Sequence, residues 1–275
     1  MALKLYKPIT PGLRGSSALD WSGVSANIRR KGLTSILSKK SGRNASGIVT
    51  VRHQGGRHKR FLRTIDWKRT KIDMKATVTA IEYDPNRTAN IAHLQYEDGT
   101  QSYILAPEGL VVGAKVISSE HAPLTIGNAL PIRFIPSGTP IHNIEIFPGK
   151  GAQMVRSAGA SAIVSGIEDE FALVKLPSGE IRRVKLGCMA TIGSLTNPDW
   201  KNVNFGKAGR KRNMGIRPTV RGTAQNPRSH PHGGGEGRSG EGMIPKTPWG
   251  KPARGNRTRN KAKYSNKYLV TRRTK

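Results

Sequence analysis

The positive charge of this chain is divided so unevenly along its length that it limits where a hydrophobic core can form. Residues 1–75 carry 18 Lys or Arg and 3 Asp or Glu, and residues 201–275 carry 20 and 2. Residues 76–200 carry 9 and 12, so the middle of the chain is close to neutral. Like charges at this density oppose compaction unless a polyanion neutralises them. We therefore expect a folded centre with two basic extensions.

The partner implied by this charge is a nucleic acid. The whole chain carries a formal net charge of +30, and neutralising phosphates releases condensed counterions, which gives tight, salt-dependent binding. A basic amphipathic helix on a membrane is the alternative, but Gly and Pro interrupt every basic stretch. No apolar run approaches the roughly 20 residues of a membrane span. These observations favour nucleic acid over membrane.

Short strands separated by turns begin at Ala76. The segments ATVTAIEY, NIAHLQY and QSYILA are separated by a turn at 84–87 and a hairpin turn at 97–100. We expect two further strands at 111–117 and 130–135. Turn signals about every ten residues, with no helical segment between them, predict a small antiparallel barrel.

A second set of strand segments follows. HNIEIF precedes the loop PGKG, FALVKL and IRRVKL flank a turn at 177–180, and CMATIG ends the set. The sequence therefore predicts a mainly β fold, with two small antiparallel barrels in tandem and long irregular basic extensions. The predicted segments are an N-terminal extension at 1–75, a first barrel at 76–130, a second barrel at 131–200 and a C-terminal extension at 201–275.

The two extensions show no sustained hydrophobic periodicity. The N-terminal one is rich in Gly, Ser and basic residues, and we expect an extended arm with a short helical turn around residues 26–37. After Trp200 we expect irregular structure to the end of the chain. Such composition is typical of segments that are disordered while the protein is free.

Seven basic or imidazole side chains surround Gly55 and Gly56 in the segment VRHQGGRHKRFLR. A solvated basic hairpin is one interpretation. The other is a glycine turn that brings His and Arg side chains against a phosphate backbone or a bulged base, and the density of these side chains favours it. His53 and His58 have no Cys or paired carboxylate beside them, so we expect no zinc site.

The most distinctive stretch is RPTVRGTAQNPRSHPHGGGEGR, at residues 217–238. Its three prolines restrict the backbone, and its glycines at 233–235 permit shapes that other residues avoid. Arg217, Arg221, Arg228 and Arg238 are distributed through it. A rigid loop with open backbone and guanidinium groups suits close approach to folded RNA.

Three isolated features narrow the list of functions. The loop FPGKGAQMVRSAGASA lacks the spacing and context of a Walker-type nucleotide site. Small residues beside Arg156 would let the backbone lie against RNA. A plain β-bulge and turn explains these small residues nearly as well. Trp249, between Pro248 and Gly250, could stack on a base or fill a gap between the basic arm and the barrel. Cys188 is the only cysteine and lies in an apolar run, so we expect a buried, inert thiol and no intrachain disulfide.

Motifs along nearly the whole chain resemble those of the large-subunit ribosomal protein L2 family. They are RHQGGRHKR (52–60), IEYDPNR (81–87), YILAP (103–107), GTPIHNIEIFPGKGAQMVRSAGASA (138–162), LPSGEIR (176–182), ATIG (190–193), the 217–238 stretch and TPWGKP (247–252). The resemblance implies an oligonucleotide-binding-fold barrel followed by an Src-homology-three-like barrel, with both extensions threading into ribosomal RNA. It also implies roles in subunit association and in the peptidyl transferase region.

The resemblance further implies a set of RNA-binding residues. They are Arg52, His53, Gly55, Gly56, His58, Lys59, Arg60, Lys150, Arg156, Arg217, Arg221, His230, His232 and Arg238. Arg57 departs from the family pattern, because it stands where a third Gly is usual, and this puts the tightness of that turn in doubt. The implied partners are large-subunit ribosomal RNA, neighbouring ribosomal proteins and the small subunit at the inter-subunit boundary. We expect no membrane partner, no homo-oligomer, no metal site and no cofactor, although Mg²⁺ could accompany bound RNA.

The motifs are of the bacterial type and argue against a eukaryotic cytosolic ribosome. The opening ALKLYKPITPG, GNALP (127–131) and KYSN (263–266) are more similar to plastid and cyanobacterial members than to other bacterial ones. We therefore expect a plastid ribosome, with a bacterium or a mitochondrion as alternatives. Since KPITPG aligns with the start of mature family members, no transit peptide is expected.

Two other classes of function compete with a structural ribosomal role. An enzyme could use His230, His232 and Glu236 for acid–base chemistry, but a Gly-rich loop alone does not provide the rigid, desolvated site that catalysis needs. A non-ribosomal RNA chaperone is compatible with the charge, although the particular sequence of the 217–238 loop does not favour it. We therefore interpret the chain as a structural ribosomal protein without catalytic residues.

Overall fold

The computed structural model describes residues 3–26 and 28–273, and most of their regular structure consists of short β-strands. The one α-helix of this part of the chain, α1, spans Ala208–Met214. The 3-10 helices span Lys31–Leu33, Ile132–Phe134, Pro198–Asn202, Gly222–Ala224 and Tyr264–Tyr268. The strands are β1 (Leu3–Leu5), β2 (Ser17–Leu19), β3 (Thr34–Leu37), β4 (Arg60–Arg63), β5 (Ala76–Glu82), β6 (Ile91–Tyr96), β7 (Gln101–Leu105), β8 (Lys115–Val116), β9 (Ala129–Pro131), β10 (Pro140–His142), β11 (Ile144–Glu145), β12 (Ala152–Met154), β13 (Ala162–Glu168), β14 (Phe171–Lys175), β15 (Ile181–Lys185), β16 (Met189–Ile192) and β17 (Leu269–Thr271).

The chain divides into two compact units. Unit 1 consists of Met1–Ser38, Lys59–Lys207 and Lys267–Lys275, and unit 2 consists of Lys39–His58 and Ala208–Asn266. The strands β1–β17 all belong to unit 1, whereas unit 2 holds α1 with turns and irregular segments. Each basic extension therefore contributes to both units. The division of the chain at residues 75, 130 and 200 stays a prediction.

Strands β5–β8 form a four-stranded antiparallel sheet in the order β7-β6-β5-β8. Alternation along β5 buries Val78, which packs with Leu94 and Ile104. Strands β6 and β7 are joined by the hairpin turn predicted at 97–100, where the N–H of Tyr96 donates to the carbonyl oxygen of Thr100 at 2.9 Å. The sequence therefore predicted this part of the fold correctly.

A larger antiparallel sheet has seven strands in the order β17-β15-β14-β13-β10-β16-β9. Its core contains Ile132, Ile141, Val174 and Cys188 among other buried apolar residues. Burial, with a smaller contribution from the Glu145 carboxylate, raises the pKa of the Cys188 thiol to about 12, so the thiol is inert as expected. Together with the four-stranded sheet, this arrangement confirms a mainly β fold and is consistent with an oligonucleotide-binding-fold barrel and an Src-homology-three-like barrel.

The helical turn predicted around residues 26–37 is only partly correct. Lys31–Leu33 form one 3-10 turn, but Thr34–Leu37 form β3 and pair with β4. Asn27 lies outside the described residues. Pairing with a strand about thirty residues away decides the conformation of this segment, which local propensity does not reveal.

The strands predicted at 111–117 and 130–135 are shorter than expected. β8 covers only Lys115–Val116, and β9 covers only Ala129–Pro131. Pro131 has no N–H to donate, and the chain turns into a 3-10 helix directly after it. β9 pairs with β16, so residues 129–131 belong to the seven-stranded sheet and not, as expected, to the sheet of the first barrel.

The prediction of irregular structure after Trp200 is wrong in part, because α1 forms within this segment and β17 joins the seven-stranded sheet beside β15. The α1 sequence AGRKRNM contains good helix formers. The basic residues in its last turn interact favourably with the negative end of the helix dipole. The N–H of Gly215 closes the helix by donating to the carbonyl oxygen of Arg212 at 3.0 Å. Neither α1 nor a 3-10 helix within the described ranges is long and apolar enough to cross a membrane.

Candidate nucleic-acid interface

Unit 2 is built where the basic segment Lys39–His58 meets the basic segment Ala208–Asn266. The N–H of Gly55 donates to the carbonyl oxygen of Gly215 at 2.8 Å, and the N–H of Arg217 donates to that of His53 at 3.0 Å. A third bond joins the N–H of His58 to the carbonyl oxygen of Asn213 at 3.1 Å. Unit 2 contains 19 Lys or Arg and two Glu, a net charge of +17. The fold therefore brings the positive charge of residues 39–58 and 208–266 together in one unit.

At the predicted glycine turn, the backbone conformation explains why glycines occur at both positions. Gly55 and Gly56 have φ of 141° and 70°, a region that side chains with a Cβ rarely adopt. Arg57 follows them, and a Cβ at Gly215 would lie 3.0 Å from the Cβ of Arg57. Arg57 is therefore half-buried against the 213–217 segment, and the turn accommodates it without a third glycine. Arg52 and His58 are exposed on either side of the turn.

In the 217–238 loop, both imidazoles lie inside and hold the loop together. His230 and His232 are buried, and the N–H of His232 donates to Nδ1 of His230 at 3.1 Å. Nε2 of His232 accepts a hydrogen bond from the N–H of Lys246 at 2.7 Å, so that nitrogen carries no proton. Nδ1 of the same ring then donates to the carbonyl oxygen of Glu241 at 3.1 Å. Both ring nitrogens of His232 are thus used within the protein.

Close packing around the first imidazole requires a glycine. A Cβ at Gly222 would lie 2.5 Å from Cε1 and 2.6 Å from Nδ1 of His230, which is closer than such atoms approach. The ring of His230 therefore lies directly on the backbone of the 3-10 turn Gly222–Ala224. This contact gives the loop an internal order that its lack of periodicity does not reveal.

The arginines of the loop are exposed to solvent, whereas the imidazoles are buried. Arg217, Arg221, Arg228 and Arg238 are all exposed. Across the described ranges, no ion pair joins any of these four guanidinium groups to a carboxylate. Guanidinium groups in this state can each bind a phosphate in a bidentate manner. The loop therefore presents cations on a backbone that is ordered in part by internal hydrogen bonds.

Unit 1 carries the other predicted RNA-binding residues. Among them, Arg156 and Lys150 have different environments. Arg156 lies over the ring of Trp67 with Cζ 4.6 Å from the ring centroid, and Arg87 lies 5.4 Å from the same centroid. Partial burial, and then the charge of Arg87, lowers the pKa of Arg156. Lys150 is exposed at the tip of the 147–151 loop. Within the same unit, Lys59 is exposed and Arg60 is half-buried in β4.

A carboxylate that sequence reasoning missed fixes the 147–151 loop. Glu145 is 1% exposed and accepts hydrogen bonds from the N–H groups of Gly151 (2.7 Å), Met189 (3.0 Å) and Gly149 (3.2 Å). These glycine donors face the carboxylate, so they are not available to cradle a phosphate. The signal in the sequence was a single acid within the apolar run HNIEIF, because a buried charge must be satisfied by bonded partners.

A second missed carboxylate organises the turn at 84–87. Asp84 is fully buried, and its Oδ2 accepts a hydrogen bond from Nε of Arg87 at 2.6 Å. Its Oδ1 accepts from the N–H of Asn86 at 2.9 Å and lies 3.7 Å from Nη1 of Arg63. Arg87 is thereby held beside Trp67, and the turn supports the Arg156–Trp67 contact.

Metal-ligand geometry is not found at the histidines. Within residues 3–26 and 28–273, no group of three or more His, Cys, Asp or Glu side chains is placed to hold a metal ion. His53 and His58 belong to the glycine turn, where the backbone of His53 is bonded to Arg217.

Two family models match the chain. The first is described as Ribosomal Proteins L2, RNA binding N-terminal domain, and matches residues 30–118. The second is described as Ribosomal Proteins L2, C-terminal domain, and matches residues 125–250. The two matches cover more than three quarters of the chain, including the glycine turn, the four-stranded sheet, the seven-stranded sheet apart from β17, and the 217–238 loop.

Proposed function

Because the chain belongs to the ribosomal protein L2 family and is a structural, RNA-binding constituent of the large ribosomal subunit, we propose that unit 2 is its principal RNA-docking element. The observation that carries this proposal is the opposite placement of two side-chain types in the 217–238 loop. The imidazoles of His230 and His232 order the loop from within, while its four arginines are exposed. Phosphate contacts of this kind fix the register of a protein on RNA.

A variant in which all four arginines of the loop are replaced by Gln tests the proposal. The control replaces Lys115, Lys175, Arg183 and Lys185 by Gln, which are four exposed cations on the sheets of unit 1. We expect the loop variant to bind large-subunit ribosomal RNA more weakly and with a salt slope shallower by about 0.7–0.9 for each lost phosphate contact. Equal loss in both variants would show that total charge, and not the loop, determines binding.

We further propose that the RNA-binding set inferred from the sequence acts in two groups. Arg52, His53, Gly55, Gly56, His58, Arg217, Arg221, His230, His232 and Arg238 belong to unit 2, and Lys59, Arg60, Lys150 and Arg156 belong to unit 1. The buried imidazoles would act by shaping the loop, and the exposed cations would contact RNA. No cofactor is part of this proposal, and Mg²⁺ would accompany the RNA.

The L2 family is a structural ribosomal protein family and not an enzyme family. A role in the peptidyl transferase region and at the boundary with the small subunit is therefore proposed as a positioning role. The internal bonding of His232 supports it, because a ring whose two nitrogens are both occupied orders the loop and has no free nitrogen for proton transfer.

For the compartment, we propose a plastid ribosome. The supporting observations are the segments ALKLYKPITPG, GNALP and KYSN, which are similar to those of plastid and cyanobacterial members. Bacterial and mitochondrial ribosomes are the alternatives.

A further inference from the structure

Trp249 is the most exposed aromatic side chain within residues 3–26 and 28–273. It is 76% exposed, compared with 63% for Tyr264 and 39% for Phe134. An indole buries a large apolar area when it is covered, so leaving it in water forgoes that stabilisation. Trp249 is therefore not packed into the interior of unit 2.

The backbone around Trp249 is ordered. The N–H of Thr247 donates to the carbonyl oxygen of Lys251 at 2.7 Å, and Lys246 bridges Pro252 in an antiparallel manner. The N–H of Gly250 closes the tip by donating to the carbonyl oxygen of Thr247 at 2.9 Å. The exposed ring is thus carried on a tight hairpin.

Two other parts of unit 2 converge on this hairpin. The N–H of Lys246 donates to Nε2 of His232, which ties the hairpin to the 217–238 loop. The guanidinium carbon of Arg52, from the glycine-turn segment, lies 5.4 Å from the centroid of the Trp249 ring. An arginine at this distance is attracted to the face of the indole and leaves most of the ring exposed.

We propose that Trp249 is a stacking platform for an unpaired RNA base, and that Arg52 orients the ring and contacts the adjoining phosphate. This inference rests on the proposed function of unit 2 and adds the class of RNA it recognises. A base within an A-form helix has both faces covered by its neighbours, so only a nucleotide in a bulge, loop or end can stack on the indole. Stacking on an aromatic side chain does not depend on base identity, so the platform selects an unstacked base and not a sequence.

The test uses the full chain and a large-subunit ribosomal RNA transcript in a salt series. The variants are Trp249→Ala, Trp249→Phe and, as a matched exposed aromatic of the same unit, Tyr264→Ala. We expect W249A to lower the affinity roughly 5- to 150-fold, which corresponds to the stacking of one base, with an unchanged salt slope. W249F retains part of the affinity because it keeps a ring, and Y264A binds as the wild type does.

Base-specific chemical probing of the same complexes gives the second readout. We expect one unpaired base to be protected by the wild type and by W249F but to stay reactive with W249A. Wild-type affinity and protection in W249A would overturn the platform, and so would a lower salt slope in W249A, since that indicates a lost phosphate contact. If the wild type itself does not bind the transcript with a steep salt slope, the proposed function of unit 2 fails first, and the two failures are distinguished in this way.

Discussion

His230 and His232 stack against each other with ring centroids 5.2 Å apart and ring planes inclined by 28°. Both rings are buried, so the imidazoles form the inside of the 217–238 loop. The loop is consequently a folded element whose shape depends on two side chains that were expected to face RNA. The first predictions below follow from this relationship.

Replacing Gly222 by Ala should disorder the loop without affecting the sheets. The added Cβ would lie 2.5 Å from Cε1 of His230, so the ring must leave its position. We expect weaker binding to large-subunit ribosomal RNA and faster amide hydrogen exchange confined to residues of the loop. Gly240→Ala is the control, because a Cβ at Gly240 meets no atom within 4 Å. Wild-type exchange in G222A would contradict the packing described here.

Replacing His230 by Ala should impair ribosome activity more than ribosome assembly. The variant keeps the exposed arginines, so the protein is expected to enter the large subunit, but the loop loses the ring that positions it. If the loop belongs to the peptidyl transferase region as proposed, peptide-bond formation by purified ribosomes should slow by roughly ten- to a hundredfold, because small displacements at a reaction site have effects of this size. His121→Ala, at an exposed histidine of unit 1, is the control. Normal rates with H230A would remove the loop from the peptidyl transferase region.

Replacing Glu145 by Gln should destabilise the chain, because three N–H groups lose a charged acceptor. The amide preserves the side-chain volume but places an NH₂ group against one of those donors. We expect the free energy of unfolding to fall by about 1.5–3 kcal/mol in urea titrations. Glu168→Gln removes an exposed partner of Arg183 and should cost less than about 1 kcal/mol. Similar losses in the two variants would contradict the assigned role of Glu145.

The stability of the chain should fall with acid through His142. Burial lowers the pKa of this histidine to about 4, the bond between Nδ1 and the Gly193 carbonyl oxygen (2.8 Å) opposes the shift, and the charge of Arg69 adds to it. The unfolded chain therefore takes up the proton first, near its usual pKa of about 6.5. Between those two pH values the free energy of unfolding should drop by about 1.4 kcal/mol per pH unit from this group, roughly 3 kcal/mol in all, and level off below pH 4.

His142→Gln removes the titrating group, so its unfolding free energy should depend less steeply on pH between 6.5 and 4 than that of the wild type. Urea titrations of the two proteins at several pH values measure the difference. An identical slope would mean that another group is responsible for the acid sensitivity.

The parts of the fold that the sequence predicted are those that depend on neighbouring residues. The hairpin turns at 97–100 and 177–180 were predicted because Gly99 and Gly179 lie between alternating strands. In the structure these two glycines have φ of 79° and 84°. By contrast, β3 and α1 depend on a distant partner or on helix propensity within a highly charged segment. The pairing of β3 is not visible in a short window of sequence. The helix formers of α1 are visible, but a helix of seven residues without a buried side chain gives no apolar periodicity.

The residue types of the candidate site are visible in the sequence, whereas their burial and pairing are not. The residue types around Gly55 and in the 217–238 loop indicated RNA, yet nothing local shows that Gly55 pairs with Gly215. The burial of His232 also depends on a distant partner, because the hydrogen-bond donor for its Nε2 is Lys246. Sequence reasoning finds which side chains suit RNA, whereas tertiary contacts decide which of them face it.

The most direct test of the account is the binding of the full chain to separate large-subunit ribosomal RNA fragments across a salt series, with an unrelated structured RNA as competitor. A protein that docks through the exposed cations of unit 2 should show a steep negative salt slope and a strong preference for one fragment. The competitor should not displace it from that fragment. A steep slope without preference among the fragments would contradict specific docking and favour a non-ribosomal RNA chaperone.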